Sequence, residues 1–233
     1  MAVVGIGGLG AAAALELAER GIDRLGLVDA DRVEISNLHR QILHETADVG
    51  RPKAEVAAEK LRRLRPSIAV EPSIERLTSP GAAARRLAGY DVVIDATDNA
   101  AAKFLLNDVC VDRGQPLVHA GAIGFHGQLF TIVPGRGACL RCLFPEPPSE
   151  EEAGSCRDAG ILGPLAALIG VLQARAALRV LAGTADVDRL LTFDARTLEL
   201  REVSLRRSAR CPACGPRAAA RGAAAAHPQS KET

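Results

Sequence analysis

The sequence contains no tryptophan, and aromatic residues make up only 3% of its 233 residues. Hydrophobic residues nevertheless account for 48% of the chain, so alanine, leucine and valine must fill the core. Net charge is also nearly absent, because 29 lysine and arginine residues are matched by 28 aspartate and glutamate residues. The protein therefore has no bulk electric field that would recruit nucleic acid or an anionic membrane.

Segments that would export the chain or anchor it in a bilayer are lacking as well. No charged start precedes an apolar signal segment. The longest apolar stretch, residues 161–172, is too short for a bilayer span and contains two glycines and a proline. We therefore expect a cytoplasmic protein, where reducing conditions make a disulfide framework the weaker explanation for six cysteines. The length suits one domain over 1–215 and a disordered tail over 216–233.

Apolar, strand-like runs alternate with helix-like runs through the first half of the sequence. This alternation predicts an α/β fold with a Rossmann-like, mostly parallel sheet and helices on both faces. Beyond residue 121 we expect additional antiparallel strands, a long loop over 144–158 and a mostly apolar helix. The predicted strands are 1–4, 25–28, 67–70, 91–95, 116–119, 127–133, 189–194 and 198–205, and the predicted helices are 11–20, 51–65, 80–88, 100–112 and 161–181.

A glycine-rich turn follows the first strand-like run. Gly5, Gly7 and Gly10 match the dinucleotide-fold pattern, in which glycines let the backbone approach phosphate at a helix N-terminus. Asp29 lies about 20 residues further on, at the end of the next apolar run, where a ribose-binding acid is expected. Together these features favour a nucleotide site over a purely structural turn.

Two cations and a second carboxylate come after the turn. Arg40 lies in a polar, loop-like stretch, Lys53 in the first turn of a predicted helix, and Asp98 just after a buried strand. With Asp29 they could offset phosphate charge and hold Mg²⁺, as nucleotidyl transfer requires; ordinary surface charges are the alternative. Lys53 opposes the helix dipole, which hints at a bound anion. The sequence has no Walker-type phosphate loop, which excludes a P-loop enzyme.

Four cysteines form two C-x-x-C pairs with 68 residues between them. Each pair can present two thiolates from one tight turn, and two such turns form the tetrahedral four-sulfur site that zinc favours. A redox-active pair is the alternative, but neither pair is predicted to open a helix after a strand. The spacing predicts a structural zinc site made of Cys139, Cys142, Cys211 and Cys214.

The two other cysteines lie in different surroundings. Cys156 is in the predicted long loop, next to Arg157 and shortly before an apolar helix, and both neighbours favour the thiolate. Two interpretations of Cys156 are therefore open: a nucleophilic or sulfur-carrying role, and an ordinary loop cysteine. Cys110, inside an apolar helical run, is predicted to be a core residue.

The combined motifs resemble the ThiF/MoeB/HesA family, the bacterial relatives of ubiquitin-activating enzymes. The resemblance runs in order from residue 1 to about residue 214. It depends on the two cysteine pairs and on five further segments: Gly5-Ile6-Gly7-Gly8-Leu9-Gly10, Asp29 with Asp31, Ser36-Asn37-Leu38-His39-Arg40-Gln41, Pro52-Lys53 and Thr97-Asp98-Asn99.

This resemblance implies ATP-dependent adenylation of a small ubiquitin-like sulfur-carrier protein of the ThiS or MoaD type, at the carboxylate of its C-terminal Gly-Gly. It also implies catalytic roles for Arg40, Lys53 and Asp98, with Asp98 as the Mg²⁺ ligand. Cys156 matches a loop cysteine that becomes linked to its carrier in the ThiF branch. The residues implied to bind the nucleotide are Gly5, Gly7, Gly8, Gly10, Asp29, Asp31, Ser36, Asn37, Arg40, Lys53, Asp98 and Asn99.

Some features differ from the family pattern and leave alternatives open. Family members carry an N-terminal helical arm with an arginine that reaches the partner subunit's ATP site, whereas this sequence starts within the first strand. A non-catalytic nucleotide- or carrier-binding member is therefore one alternative, and an NAD-dependent oxidoreductase is another. His39 replaces the usual Asn or Gln, and no rhodanese-like domain follows residue 214, so we expect a separate sulfur donor. The resemblance also implies a homodimer.

Overall fold

Residues 1–148 and 160–216 are described by the computed structural model of the chain. The strands are β1 (Ala2–Val4), β2 (Arg24–Val28), β3 (Ala69–Ser73), β4 (Val93–Asp95), β5 (Leu117–Ile123), β6 (His126–Ile132), β7 (Arg189–Asp194) and β8 (Glu199–Ser204). The α-helices are α1 (Gly8–Glu19), α2 (Lys53–Leu64), α3 (Pro80–Leu87), α4 (Ala100–Asp112), α5 (Leu140–Leu143) and α6 (Gly163–Leu181). Two short 3₁₀ helices, Ile35–Asn37 and Thr46–Asp48, lie between β2 and α2.

One sheet holds these eight strands in the order β3-β2-β1-β4-β5-β6-β7-β8. The first five strands in this order pair in parallel, and β6, β7 and β8 are antiparallel. The predicted α/β sheet with its antiparallel extension is thereby confirmed. Because β1 pairs with both β2 and β4, the winding direction reverses at β1. Open α/β sheets bind ligands at such a switch point, beyond the carboxyl ends of the strands.

Most predicted elements occur, and the differences lie at their ends. The helix over 100–112 and the strand over 189–194 have the predicted bounds. α1 starts at Gly8 instead of residue 11, because the last glycines of the turn already belong to the helix. β5 continues to Ile123, since a tight hairpin pairs that residue with His126 of β6. α5 is not predicted, because a single turn is too short to show helical periodicity.

Parts of two predicted segments lie outside the described residues. Residues 144–148 of the predicted loop are described, and 149–159 are not. Of the predicted tail, only residue 216 is described. The loop and the tail therefore stay predictions.

α1 and α6 pack closely against each other over one face of the sheet. A Cβ on Gly170 of α6 would lie 2.2 Å from the Leu9 carbonyl oxygen and 3.0 Å from the Ala12 side chain. A Cβ on Gly8 of α1 would likewise lie 2.9 Å from the side chain of Ala166. Close approach of two helices through small residues thus replaces the aromatic bulk that the sequence lacks.

Contrary to the sequence-based expectation that the apolar stretch here is too short, the described helix α6 is by length and composition long and apolar enough to cross a bilayer. In the structure it packs against α1, β5 and β6, as a core helix of an α/β protein does. The sequence-based expectation that the protein has no membrane partner stays a prediction.

The opposite face of the sheet is covered by α3 and α4, which enclose a second hydrophobic cluster. Cys110 is fully buried there, as predicted for a core residue, and burial raises the pKa of its thiol to about 12. Three of the paired cysteines, Cys139, Cys211 and Cys214, are buried in this same cluster. The cysteine site is therefore part of the core behind α4.

Replacing Gly170 by alanine should lower the free energy of unfolding by about 1–3 kcal/mol, because the added methyl group would overlap the Leu9 carbonyl oxygen. Chemical denaturation would measure this change. Gly81→Ala in α3 is the matched control: its nearest neighbour is the flexible end of Arg85 at 3.5 Å, so the change should stay within about 0.5 kcal/mol. Equal stability of the two variants would contradict the close packing of α1 and α6.

Candidate functional site

The glycine turn between β1 and α1 lies beyond the carboxyl ends of the parallel strands, against the loop that follows β4. Gly5 has a φ of +88°, and a Cβ there would lie 2.7 Å from the Ala96 carbonyl oxygen. A Cβ on Gly10 would lie 1.8 Å from the Gly5 carbonyl oxygen. Since only glycine fits at both positions, the turn is held directly against the β4 loop.

The N-terminus of α1 lies beside this turn and is uncapped. Gly7 is the N-cap residue, and within the described part of the chain no side chain caps the helix. The first turn of α1 carries no acidic residue. The atom nearest to a Cβ on Gly7 would be Gln41 Nε2, at 3.9 Å. Free N–H groups and the helix dipole make such an end a binding site for phosphate.

Asp29, just after β2, supports the turn through its carboxylate. One oxygen accepts a hydrogen bond from the Ile6 N–H at 2.6 Å, and the other accepts one from the Asp31 N–H at 2.7 Å. Burial raises the pKa of Asp29, although these hydrogen bonds and the charge of Lys53 oppose the rise. The residue predicted to hold the ribose therefore also takes part in the hydrogen bonding of the turn itself.

Lys53 forms an ion pair next to Asp29. It is 6% exposed, and its Nζ lies 3.3 Å from Asp31 Oδ2. Arg76 donates to the other Asp31 oxygen at 2.7 Å. A carboxylate of the protein itself already pairs with this charge, and the sequence-based hint of a bound anion at Lys53 stays a prediction.

Arg40 approaches the start of α1 from the loop between β2 and α2. Its guanidinium donates to Asn37 Oδ1 at 2.6 Å. Its carbonyl oxygen would lie 3.1 Å from a Cβ on Gly8, so its backbone contacts the first residue of the helix. Ser36, by contrast, is exposed and its hydroxyl donates to Glu34 at 3.4 Å.

Asp98 lies in the loop after β4, two residues beyond the contact between Ala96 and the glycine turn. Its side chain is exposed, and no hydrogen bond or ion pair of its carboxylate occurs within residues 1–148 and 160–216. The next residue, Asn99, accepts a hydrogen bond from the Ala102 N–H at 2.8 Å and caps α4. The side chain of Asn99, predicted to bind the nucleotide, is therefore committed to the helix.

Most of the predicted residues thus meet at one edge of the sheet. Direct contacts connect the glycine turn to Asp29, and through it to Asp31 and Lys53; Arg40 borders Gly8. The side chains of Ser36 and Asn99 are engaged elsewhere. Cys156 lies outside the described residues, so its predicted role is not placed.

Two buried polar residues beside the turn were not singled out from the sequence. Gln41 is 2% exposed and His44 is 7% exposed. His44 Nε2 lies 3.3 Å from the Ile6 carbonyl oxygen, and burial lowers the pKa of the imidazole. Among the described residues, Gln41 Oε1 and His44 Nδ1 have no hydrogen-bond partner. The sequence gives one local signal for Gln41 and His44. They flank an apolar pair in Gln41-Ile42-Leu43-His44.

The four paired cysteines converge behind α4. Their sulfur atoms all lie within 4.8 Å of one another, with 3.5 Å between Cys139 and Cys211 and 3.4 Å between Cys142 and Cys214. Zinc bound to four sulfurs at about 2.3 Å requires sulfur separations of about 3.8 Å, so the cluster fits this ion. Cys139 is the N-cap of α5, so one pair does open a helix, contrary to prediction. Convergence of both pairs nevertheless favours a metal site over a redox pair.

The sequence profile of the ThiF family matches residues 1–213. The chain is 44% identical over 220 residues to the sulfur carrier protein adenylyltransferase of Thermus thermophilus. The alignment covers 91% of this chain and 81% of that protein. It is 46% identical over 215 residues to the SAMP-activating enzyme E1 of Haloferax volcanii, with coverages of 91% and 79%. MOCS3 of Bos taurus is 46% identical over 218 residues, and the chain spans about half of that relative, 48% of its length.

Solved structures with a similar fold include E. coli MccB. Its complex with AMPCPP and MccA has a TM-score of 0.81 at 22% sequence identity, over 92% of this chain and 66% of that chain. PaaA has a TM-score of 0.74 at 22% identity, over 89% and 64% of the two chains. At this level of identity the likeness concerns the fold alone. The profile match over nearly the whole described chain, together with relatives above 40% identity, shows that the protein belongs to the ThiF family.

Proposed function

We propose that the protein is an adenylyltransferase that activates the C-terminal glycine carboxylate of a small ubiquitin-like sulfur-carrier protein of the ThiS or MoaD type. The observation that supports this function best is the uncapped N-terminus of α1, whose first residue contacts the Arg40 backbone and whose preceding turn contacts the loop that leads to Asp98. Asp29 and Asp31 connect this turn to Lys53. Relatives with 44% and 46% identity are named as a sulfur carrier protein adenylyltransferase and a SAMP-activating enzyme.

In the proposed reaction, a carboxylate oxygen of the carrier attacks the α-phosphorus of ATP. A bond forms between the carboxyl oxygen and phosphorus, giving an acyl-adenylate. The bond from the α-phosphorus to the bridging oxygen breaks, and pyrophosphate leaves with that electron pair. Charge redistributes over the phosphate oxygens, so fixed cations and helix N–H groups close to them lower the barrier.

Each side chain at the edge of the sheet has a role in this scheme. Gly7 and Gly8 let the phosphates approach the N-terminus of α1. Lys53 and Arg40 supply positive charge, and their partners Asp31 and Asn37 hold them in place, which limits the entropy lost on binding. Asp29 retains free acceptor capacity on each oxygen for the ribose hydroxyls, because a carboxylate oxygen can accept two hydrogen bonds.

Asp98 is well suited to act as a magnesium ligand. Mg²⁺ in nucleotide-binding sites is usually held by one or two carboxylates together with the phosphates of the substrate. The exposed Asp98 carboxylate makes no ion pair within the described part of the chain, so it can take this place. When bound there, the ion would neutralise charge on the phosphates.

We assign zinc, in a structural role, to the four-cysteine cluster, because a closed set of four sulfurs leaves no position for a reactant. The adjoining residues fasten the cluster to α4. Arg141 donates two hydrogen bonds to the Asp108 carboxylate, and the Leu140 N–H donates to the buried Asn107 side chain. The zinc cluster would therefore stabilise α4, the helix whose N-terminal end follows the Asp98 loop.

Several further parts of the proposal come from the sequence or from the family resemblance, and not from the geometry of the site. They are a homodimer, a separate sulfur donor, a cytoplasmic location, an adenylation domain over 1–215, and a covalent link between Cys156 and the carrier.

Asp98→Asn should lower carrier-dependent ATP–pyrophosphate exchange by about 100-fold or more, because the amide cannot replace a charged metal ligand. Exchange of labelled pyrophosphate into ATP, with purified ThiS-type and MoaD-type carriers, would measure this loss.

Asp112→Asn is the matched control for this variant. Asp112 is exposed at the other end of α4, about 20 Å away along a helix of this length, so exchange should stay at the parent rate. Parent-level exchange by the Asp98 variant would overturn the assignment of this residue.

The protein as purified should contain one zinc ion per chain, measured by mass spectrometry of the metal. Cys142→Ser should lose this zinc and lower Tm by about 5–10 °C, because metal binding contributes directly to folding. Cys110→Ala should keep it, since Cys110 is not among the four clustered cysteines. Equal zinc content in the two variants would exclude the proposed site.

A further inference from the structure

Asp95 is a fully buried carboxylate at the end of β4, and the proposed reaction does not use it. Its Oδ1 accepts two hydrogen bonds from Thr97, one from the backbone N–H at 3.0 Å and one from the hydroxyl at 2.6 Å. Both bonds turn the chain back on itself immediately before Asp98. The direction in which the loop leaves the strand is therefore set by this carboxylate.

The other oxygen of Asp95 faces two donors from neighbouring elements. His119 Nδ1 of β5 lies 2.7 Å from Oδ2, and Lys103 Nζ of α4 lies 3.4 Å from it. Lys103 also donates to the Ala120 carbonyl oxygen at 2.6 Å, which fixes its ammonium group between β4 and β5. The carboxylate thus receives hydrogen bonds from the loop, the adjacent strand and the following helix.

The charge on Asp95 is stabilised by this arrangement. Burial alone would raise the pKa of the carboxyl group, but Lys103 and the hydrogen bonds from His119 and Thr97 outweigh it and hold the pKa well below its usual range. Burial and the charge of Lys103 lower the pKa of His119, so a neutral imidazole donates through Nδ1. A buried charge with this many donors forms a rigid anchor.

The loop is fixed at its far end by Asn99, which caps α4. At the near end, Gln173 of α6 donates to the Asp95 carbonyl oxygen at 2.8 Å and to the Val118 carbonyl oxygen at 3.2 Å. Asp98 is the exposed residue between these two anchors. Its position therefore depends on the groups that hold Thr97 on one side and Asn99 on the other.

We propose that the buried Asp95 carboxylate is a positioning residue, which holds the Thr97–Asn99 loop so that Asp98 meets the metal and phosphates of ATP. This inference rests on the proposed function of Asp98. Asp95 itself does not touch the nucleotide in this scheme. Displacement of a catalytic group by about 1 Å can cost about 100-fold in rate, so such an anchor has a measurable effect.

The test compares two substitutions of the same residue. Thr97→Val keeps the size of the side chain but removes the hydroxyl group that donates to Asp95, whereas Thr97→Ser retains it. Three quantities would be measured for each variant: Tm, the Mg²⁺ concentration for half-maximal ATP–pyrophosphate exchange, and the affinity for Mn²⁺ in the presence of ATP, from the electron paramagnetic resonance signal of free Mn²⁺.

The valine variant should need about 10-fold more Mg²⁺ and bind Mn²⁺–ATP about 10-fold more weakly, the loss expected for one hydrogen bond to a charged group. The serine variant should stay within about 3-fold of the parent protein in both measurements. Both variants are compared well below their Tm, because loss of a hydrogen bond to a buried charge also lowers the stability of the valine variant. Asp95→Asn should weaken Mn²⁺–ATP binding further, because it removes the charge and one acceptor together. If this variant fails to fold, the comparison of Thr97→Val with Thr97→Ser alone tests the inference.

Equal Mn²⁺–ATP affinity in the valine and serine variants would overturn the inference. So would a loss of affinity that appears only at temperatures where the valine variant begins to unfold, since that is what a merely structural role predicts. A parent protein that binds Mn²⁺–ATP but shows no carrier-dependent exchange would overturn the proposed function instead, while the comparison of the two variants would still test the loop.

Discussion

Contacts too close to admit a side chain join the two sides of the candidate site. Gly10 lies against the Gly5 carbonyl group, and Gly5 lies against the Ala96 carbonyl group. Because β1 and β4 are neighbouring parallel strands, these contacts bring the N-terminus of α1 and the loop with Asp98 to the same edge of the sheet. The hydrogen bonds of Asp29 then connect this edge to Lys53. A larger residue at either glycine would separate the N-terminus of α1 from the loop with Asp98.

Layers of buried polar residues support this edge from inside the protein. Asp95 and His119 lie beneath the loop with Asp98, and Gln173 connects them to α6. Burial of polar groups is unfavourable unless they are hydrogen-bonded. A buried network in which the groups are hydrogen-bonded is rigid, so it can hold a loop in one conformation. The apolar remainder of the core, which is built from small aliphatic residues, gives these groups fixed surroundings.

The local patterns of the sequence predict a large part of this architecture. Alternating runs indicate the parallel sheet and the glycine spacing indicates the turn, because both depend on residues close in the chain. Each cysteine pair is also a local pattern, and the presence of two such pairs indicates the four-sulfur cluster although the fold must bring them together. The roles of Asp95 and His119 could not be predicted, since the two residues meet only through the pairing of β4 with β5. The ion pair of Lys53 with Asp31 likewise depends on how α2 packs beside β2.

The beginning of α6 has a consequence for how the site can respond to a bound protein. A Cβ on Gly163 would lie 2.5 Å from the His39 carbonyl oxygen, so the first residues of this helix rest directly on the backbone that precedes Arg40. Residues 160–162 lead into this same point, and hydrogen bonds from Gly124 to Gly160 and from Leu162 to Gly124 hold them. A displacement of the first residues of α6 would therefore be transmitted to Arg40 through contact between rigid backbones instead of through a change in charge.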